Sequence, residues 1–284
     1  MELGSFCGYD ATLEDDGILV ITFNQPERYN GMTMALKRDL RETLEQAQGD
    51  DRVWTIVFTG MGKAFCAGDD PALSFFGQSP KQVPAQKWPG KQGPLRNYGM
   101  LRTLMSELTR VVRSSDKLTI AAINGYAIQS GLSLALACDF RIASSEAKLG
   151  SATLRFGYQP DEGGHYLLVQ HLGVSRAMEF MMRKRIVPAE EALRLGLVNQ
   201  VVEPADLMEQ TRALARELHE GPQLAMRLLK RSIYNAAHQT MGEALDDIAV
   251  RTAISDNHAD AHEGRDAWLQ KRPAVFNRWL MEDE

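Results

Sequence analysis

The sequence predicts an α/β fold with a largely parallel sheet, followed by a helical C-terminal region. Short apolar, β-branched runs alternate with helical segments through about Val202, which calls for βαβ-type crossovers. Each run stops at Gly, Asn or Pro, as a strand entering a turn should. From Asp206 onward the chain reads as helix after helix.

Gly17 to Phe23 is a first strand, stopped by Asn24-Gln25-Pro26. Thr33 then opens an amphipathic helix to about Gln48, with Met34, Leu40 and Leu44 on one face. Val53 to Phe58 is a second strand, ending in Thr59-Gly60-Met61-Gly62. Five of the eleven prolines fall between Pro71 and Pro94, an irregular stretch of the kind that usually carries function or moves. Leu118 to Ile123 is a third strand. Gly131 to Cys138 has helical composition and is apolar nearly all round, as a buried helix should be. The C-terminal helices run from Asp206 to Glu220, Gln223 to Tyr234, Met241 to Ile254 and Asp260 to Gln270.

The chain has 284 residues, 44% hydrophobic and 24% charged, enough for one large domain with or without an appended helical piece. Its net charge of −5 is spread along the chain, so no basic face for nucleic acid emerges. Cys7, Cys66 and Cys138 lack CxxC spacing, which argues against a disulfide framework or a zinc site and points to a reducing cytoplasm. No secretory signal is expected, because the N-terminal residues lack a basic region followed by an apolar run, and no membrane span, because no apolar run approaches the ~18 residues that a bilayer demands.

Several chemical signatures fail. Gly60-Met61-Gly62 follows a strand, but Phe65 stands where a dinucleotide fingerprint needs its third glycine, and Gly62-Lys63-Ala64 lacks the form of a phosphate loop. Ser130 lies between a strand and a helix, yet Ile128 and Leu132 occupy the glycine positions of a nucleophile elbow. His258 and His262 are four apart, but Ala259 follows the first, so a solvated helix face explains them better than a metal does.

The informative constellation is larger. One strand runs into Ala64-Phe65-Cys66-Ala67-Gly68-Asp69-Asp70, and another into Asn124-Gly125-Tyr126-Ala127-Ile128-Gln129-Ser130-Gly131 and the buried helix. Further signals follow in order: Arg141 to Gly150, Pro188 to Ala192 with Gly196-Leu197-Val198, Glu263-Gly264-Arg265, and Lys271-Arg272-Pro273. Together these resemble the enoyl-CoA hydratase/isomerase (crotonase) family over about residues 9 to 280.

The resemblance implies a crotonase spiral of repeated ββα units over residues 1–202, with a helical region over 203–284 that mediates oligomerisation and covers the coenzyme site. It also implies an oxyanion hole made by the backbone N–H groups of Asp69 and Ser130. Such donors matter because deprotonating next to a thioester puts charge on its oxygen, and one aimed donor contributes on the order of 3 kcal/mol. Ser130, at the start of an apolar helix, is a candidate anion site even without the family. The substrate implied is an acyl-CoA, its nucleotide lying across Asn30, Gly31, Ala67, Asp69, Asp70, Pro71 and Ala72. Lys271 and Phe276 would approach the coenzyme of a neighbouring subunit. A homotrimer or dimer of trimers is expected, with no metal and no cofactor beyond the coenzyme A of the substrate.

Two departures from the family narrow the chemistry. The triple glycine is replaced by Gln129-Ser130-Gly131, so Ser130 either takes an ordinary conformation or is strained. The two catalytic glutamates of true hydratases fall on Ser133 and Thr153, which cannot be carboxylate bases. Glu162, just before Gly163-Gly164, resembles the position of the single base of some Δ3,Δ2-enoyl-CoA isomerases. Asp161 is the next candidate, and His165 could orient a carboxylate or simply be a packed histidine. Asp161 and Glu162 are also what a helix's first turn prefers. The sequence therefore favours a single-base isomerase over a hydratase or C–C hydrolase, with a non-catalytic acyl-CoA-binding homologue as a third reading.

Overall fold

Among the described residues, seven strands form the larger of two sheets and four the smaller. The computed structural model describes residues 1–70, 95, 98–99, 101–160 and 162–280. The proline-rich stretch from Pro71 to Pro94 thus lies outside the described residues, and with it the predicted site residues Pro71 and Ala72; so does Asp161.

In the large sheet β1 (Gly4–Phe6), β2 (Tyr9–Leu13) and β3 (Ile18–Phe23) are antiparallel neighbours. From β3 on, pairing is parallel through β4 (Thr55–Gly60), β6 (Leu118–Ile123), β8 (Phe140–Ser144) and β11 (Gln200–Val202). The smaller sheet runs β10 (Ile186–Pro188), β9 (Lys148–Gly150), β7 (Tyr126–Ile128), β5 (Ala64–Cys66). Three strands of the first sheet, β4, β6 and β8, are each followed by a three-residue strand in the second and then by a helix. That is a ββα repeat: β4-β5 leads to α2 (Glu107–Ser114), β6-β7 to α3 (Ser130–Ala137), and β8-β9 to α4 (Gly164–Met182).

Burial on both faces explains why these strands read as continuous apolar runs. Leu19, Ile21, Ile56, Phe58, Ala121 and Ile123 face the main core, with α1 (Met34–Gln48), α2, α3 and α4. The alternate residues Ile18, Val20, Val57, Ile120, Ala122 and Ile142 pack against Leu207 and Ala215 of α6 (Leu207–His219). Each Ile or Val covered this way contributes roughly 1.5–3 kcal/mol. α5 (Ala189–Leu195) completes the spiral, and α7 (Gln223–Ala236), α8 (Met241–Asp256) and α9 (Ala259–Gln270) follow α6. The buried Lys230 of α7 pairs with Asp139 at 2.7 Å and donates to the Lys117 carbonyl, tying that helix to the end of α3. No helix among the described residues is long and apolar enough to cross a membrane.

Several expectations shift in detail. Thr33 is the N-cap of α1, its hydroxyl accepting from the Leu36 N–H at 3.1 Å. The buried stripe of α1 is Leu36, Lys37, Leu40, Thr43, Leu44 and Ala47, with Met34 only half-buried. The second strand starts at Thr55, two residues later than predicted. His258 caps the start of α9, accepting from the Asp260 N–H, and does not lie on an open helix face.

Candidate active site

Two loops meet because β5 and β7 are parallel neighbours, so the residues after them emerge side by side. Ligand sites collect at such carboxyl ends of parallel strands. After β5 the chain bends through Gly68, at φ +103°, where a Cβ would come within 2.8 Å of the Gln129 Cβ. After β7 it enters α3 with Gly131 pressed on β5; a Cβ there would lie 2.1 Å from the Cys66 carbonyl oxygen. Side-chain-free backbone at both points lets Asp69 and Ser130 stand next to each other.

Ser130 is the first residue of α3, so its N–H is one of the helix's orphan donors. The Ser130 hydroxyl donates to Asp69 Oδ1 at 2.6 Å. Strain does not fall on Ser130. The preceding Gln129 carries it, with φ 57° and ψ −115°. Gln129 is held there by its N–H, which donates to the Gly150 carbonyl, and by its Oε1, which accepts from Thr153.

Glu162 is 4% exposed, although it precedes the α4 N-cap, Gly163. It therefore lies outside the helix's first turn, and its carboxyl turns inward. There it accepts from Lys37 Nζ, which also donates to Asp69 Oδ1 at 2.7 Å. Lys37 is 1% exposed. One ammonium thus bridges two carboxylates, with Ser130 on the second. Burial raises the Glu162 pKa well above the ordinary carboxylate range; Lys37 opposes this and Asp69 adds to it. Burial by itself would lower the Lys37 pKa, but Glu162 and Asp69 outweigh it and hold the ammonium charged. Cys66, beneath the cluster, has its thiol pushed up to about 12 by burial.

The structure brings Asp69, Ser130 and Glu162 together, and Asn30, Gly31, Ala67 and Asp70 pack around the loop that carries Asp69. Asn30 is buried with φ 55°, and its side chain serves the protein: Nδ2 donates to the Ala64 and Met61 carbonyls and Oδ1 accepts from the Gln25 N–H. Gly31 packs on Asp70, which pairs with Arg28. The Ala67 N–H is bonded to the Tyr29 carbonyl. These bonds splice residues 29–32 onto 67–70 and fix the loop that carries Asp69. His165 is exposed, not packed. Lys271 is exposed in the left-handed conformation that ends α9, and Phe276 rests on Gly264. Lys37 is the member that sequence reading missed. Its signal was its place on the apolar stripe, three residues before Leu40 and seven before Leu44.

Glu162 borders two spaces. A cleft of about 510 Å³ between α2 and α4 reaches it past Ser106, Thr109 and Leu167. A far smaller cavity of about 10 Å³ joins it to Gln129, Ser133 and Ser151. The first is of the size that takes a small organic ligand, and the second is about one water molecule wide. Chemically, the cluster can hold or release a proton at a buried carboxyl beside a buried ammonium.

Residues 14–278 match the family model described as enoyl-CoA hydratase/isomerase. The 1,2-epoxyphenylacetyl-CoA isomerase of Escherichia coli is 32% identical over 263 residues, covering 92% of this chain and 95% of that protein. The crotonyl-CoA hydratase of Syntrophomonas wolfei is 30% identical over 264 residues, covering 93% and 95%. The crystal structure of an enoyl-CoA hydratase from Bacillus anthracis superposes with a TM-score of 0.83 at 27% identity, covering 95% of this chain and 99% of that one.

Proposed function

The chain belongs to the enoyl-CoA hydratase/isomerase family, and we propose that within it this protein is a single-base isomerase, shifting a double bond in an acyl-CoA from C3 to C2. The observation that carries this reading is the buried Glu162, joined through Lys37 to Asp69 and Ser130; the family resemblance adds that Ser133 and Thr153 take the positions of a hydratase's carboxylates. The amides of Asp69 and Ser130 bind the thioester oxygen. Glu162 takes a proton from C2, charge spreads over the dienolate, and the same carboxyl returns the proton at C4. Its raised pKa suits this task, since a proton shuttle works best when its pKa is near the operating pH.

The coenzyme's nucleotide runs along the spliced loops of Asn30, Gly31, Ala67, Asp69 and Asp70 toward Pro71 and Ala72, and Lys271 and Phe276 reach the coenzyme of a neighbouring subunit. Hydration, or C–C hydrolysis, is favoured instead by the water-sized cavity between Glu162, Ser133 and Ser151. One experiment separates the two readings: conversion of a 3-enoyl-CoA to the 2-enoyl-CoA, followed beside water addition to crotonyl-CoA. Isomerisation is expected to be the faster by at least about tenfold. Hydration at equal or greater rate would remove the isomerase reading.

Self-association belongs to the same proposal. Leu229 and Ile233 of α7, Met241, Leu245 and Ile248 of α8, and Trp268 of α9 all stand exposed. An apolar surface of this kind on a globular chain marks an interface. Light scattering at micromolar concentration should give a mass of three or six chains of 31.7 kDa. A monomeric mass would refute it.

A further inference from the structure

We propose that Lys37 is a positioning residue of the active site, fixing the Asp69 and Glu162 carboxylates in one network and setting the pH at which Glu162 can take a proton. The inference rests on the reading of Glu162 as base and extends it to a residue on α1. Three observations carry it.

Lys37 occupies a core position. Leu36, Leu40, Leu44 and Ala47 around it on α1 are buried and apolar, and a Leu or Met at 37 would continue the stripe. Burying a lysine there is costly, and replacing buried ion pairs by apolar residues is often neutral or stabilising. Stability therefore gives little reason for this lysine. The geometry gives another: Nζ lies between Asp69 Oδ1 and Glu162 Oε1, carboxylates 93 positions apart in the chain that meet only in the folded site.

The second observation is the charge count. Among the described residues, the groups facing Glu162 are Lys37 from α1, Asp69 from the loop after β5, Cys66 from β5 itself and Ser130 from α3. Of these, two carboxyls share one ammonium, so the three are neutral together only when one carboxyl holds a proton. The buried Glu162, whose proton affinity is raised, is the one placed to hold it. Without Lys37 the two carboxyls would lose the cation that stands between them, and Glu162 would hold its proton to higher pH.

The third concerns Asp69. Its amide points toward the thioester oxygen in the proposed site, and an untethered carboxylate on the same residue would repel the enolate. Lys37 and the Ser130 hydroxyl hold the same oxygen, Oδ1. This restrains the carboxylate and screens its charge.

The test compares K37M, K37R and D69N with the unaltered protein in two titrations. One is the acid limb of kcat/KM for 3-enoyl-CoA isomerisation. The other is the infrared band of the Glu162 carboxyl, identified by its loss in E162Q and read without turnover. K37M should move both midpoints up by about one pH unit or more, the usual effect of losing an opposite charge at this distance. Below the midpoint that is about a tenfold loss of rate, regained as pH rises. K37R keeps the charge and should restore the midpoint to within a few tenths of a unit. D69N keeps the backbone donor and removes the repelling charge, so it should move both midpoints down. An unmoved infrared midpoint in K37M overturns the proposal, as does a rate loss that is the same at every pH. If K37M does not fold, K37Q takes its place, and an unmoved midpoint there is equally fatal. An infrared midpoint that moves while the rate profile stays put confirms Lys37's hold on Glu162 and disposes of Glu162 as base.

Discussion

Replacing Glu162 with Gln should lower kcat for 3-enoyl-CoA isomerisation by about a hundredfold or more. The amide keeps the shape of the carboxyl and cannot accept the C2 proton. It also leaves the buried Lys37 ammonium paired with the Asp69 carboxylate, so the lysine keeps a counter-charge and the fold should hold. Binding of a short enoyl-CoA, measured by calorimetry, should persist, and the matching free acid should show no detectable binding to either protein. The pH profile adds a signed check. Burial shifts Glu162's pKa upward, so the base is protonated below its folded-state pKa and ionised above it. Activity should rise with pH through a midpoint well above that of an ordinary carboxylate. In the Gln variant any residual rate should lack this limb. Full activity in E162Q would take Glu162 out of the mechanism, and equal affinity for thioester and free acid would take the coenzyme out of recognition.

The same shift bears on stability. Between the unfolded and the raised folded pKa, the folded chain binds a proton at Glu162 that the unfolded chain has lost. Stability from this group is therefore present at low pH and declines as pH rises through the folded value.

How much of this was legible depended on the length of each signal. β3, β6, α3 and the four C-terminal helices were readable because β-branched runs or helical spacing persisted over six or more residues. The small sheet was not. β5, β7, β9 and β10 have three residues each, too short for any periodicity to declare itself. That sheet places Asp69 beside Ser130, so the residues of the site were nameable from motifs while their adjacency came only from the fold. Resemblance names Glu162 as the base against its plainer reading as a helix-start residue; its place outside the first turn, facing inward, removes that objection. Lys37 was overlooked because a lysine is expected to face solvent. Its spacing from Leu40 and Leu44 carried the contrary message.

The contact that joins the two loops gives the second large effect. Gly131→Ala should lower kcat/KM for isomerisation by about a hundredfold while reducing stability by roughly 1–3 kcal/mol. The added Cβ would sit 2.1 Å from the Cys66 carbonyl oxygen and 2.9 Å from the Cys66 Cβ. The nearest obstacle is backbone, so no change of rotamer relieves it, and α3 or β5 must move by about an ångström. Ser130 rides on the first and Asp69 follows the second. Both amides of the proposed thioester site are then misplaced, and a displacement of that size far outweighs the single methyl that causes it. Gly242→Ala serves as the comparison, because nothing lies within 4 Å of its Cβ position in α8. That change should leave turnover unaltered and raise the melting temperature slightly, since alanine suits a helix better than glycine. A Gly131→Ala protein with full activity and an unchanged melting temperature would mean that the β5–α3 contact does not set the distance between the two amides.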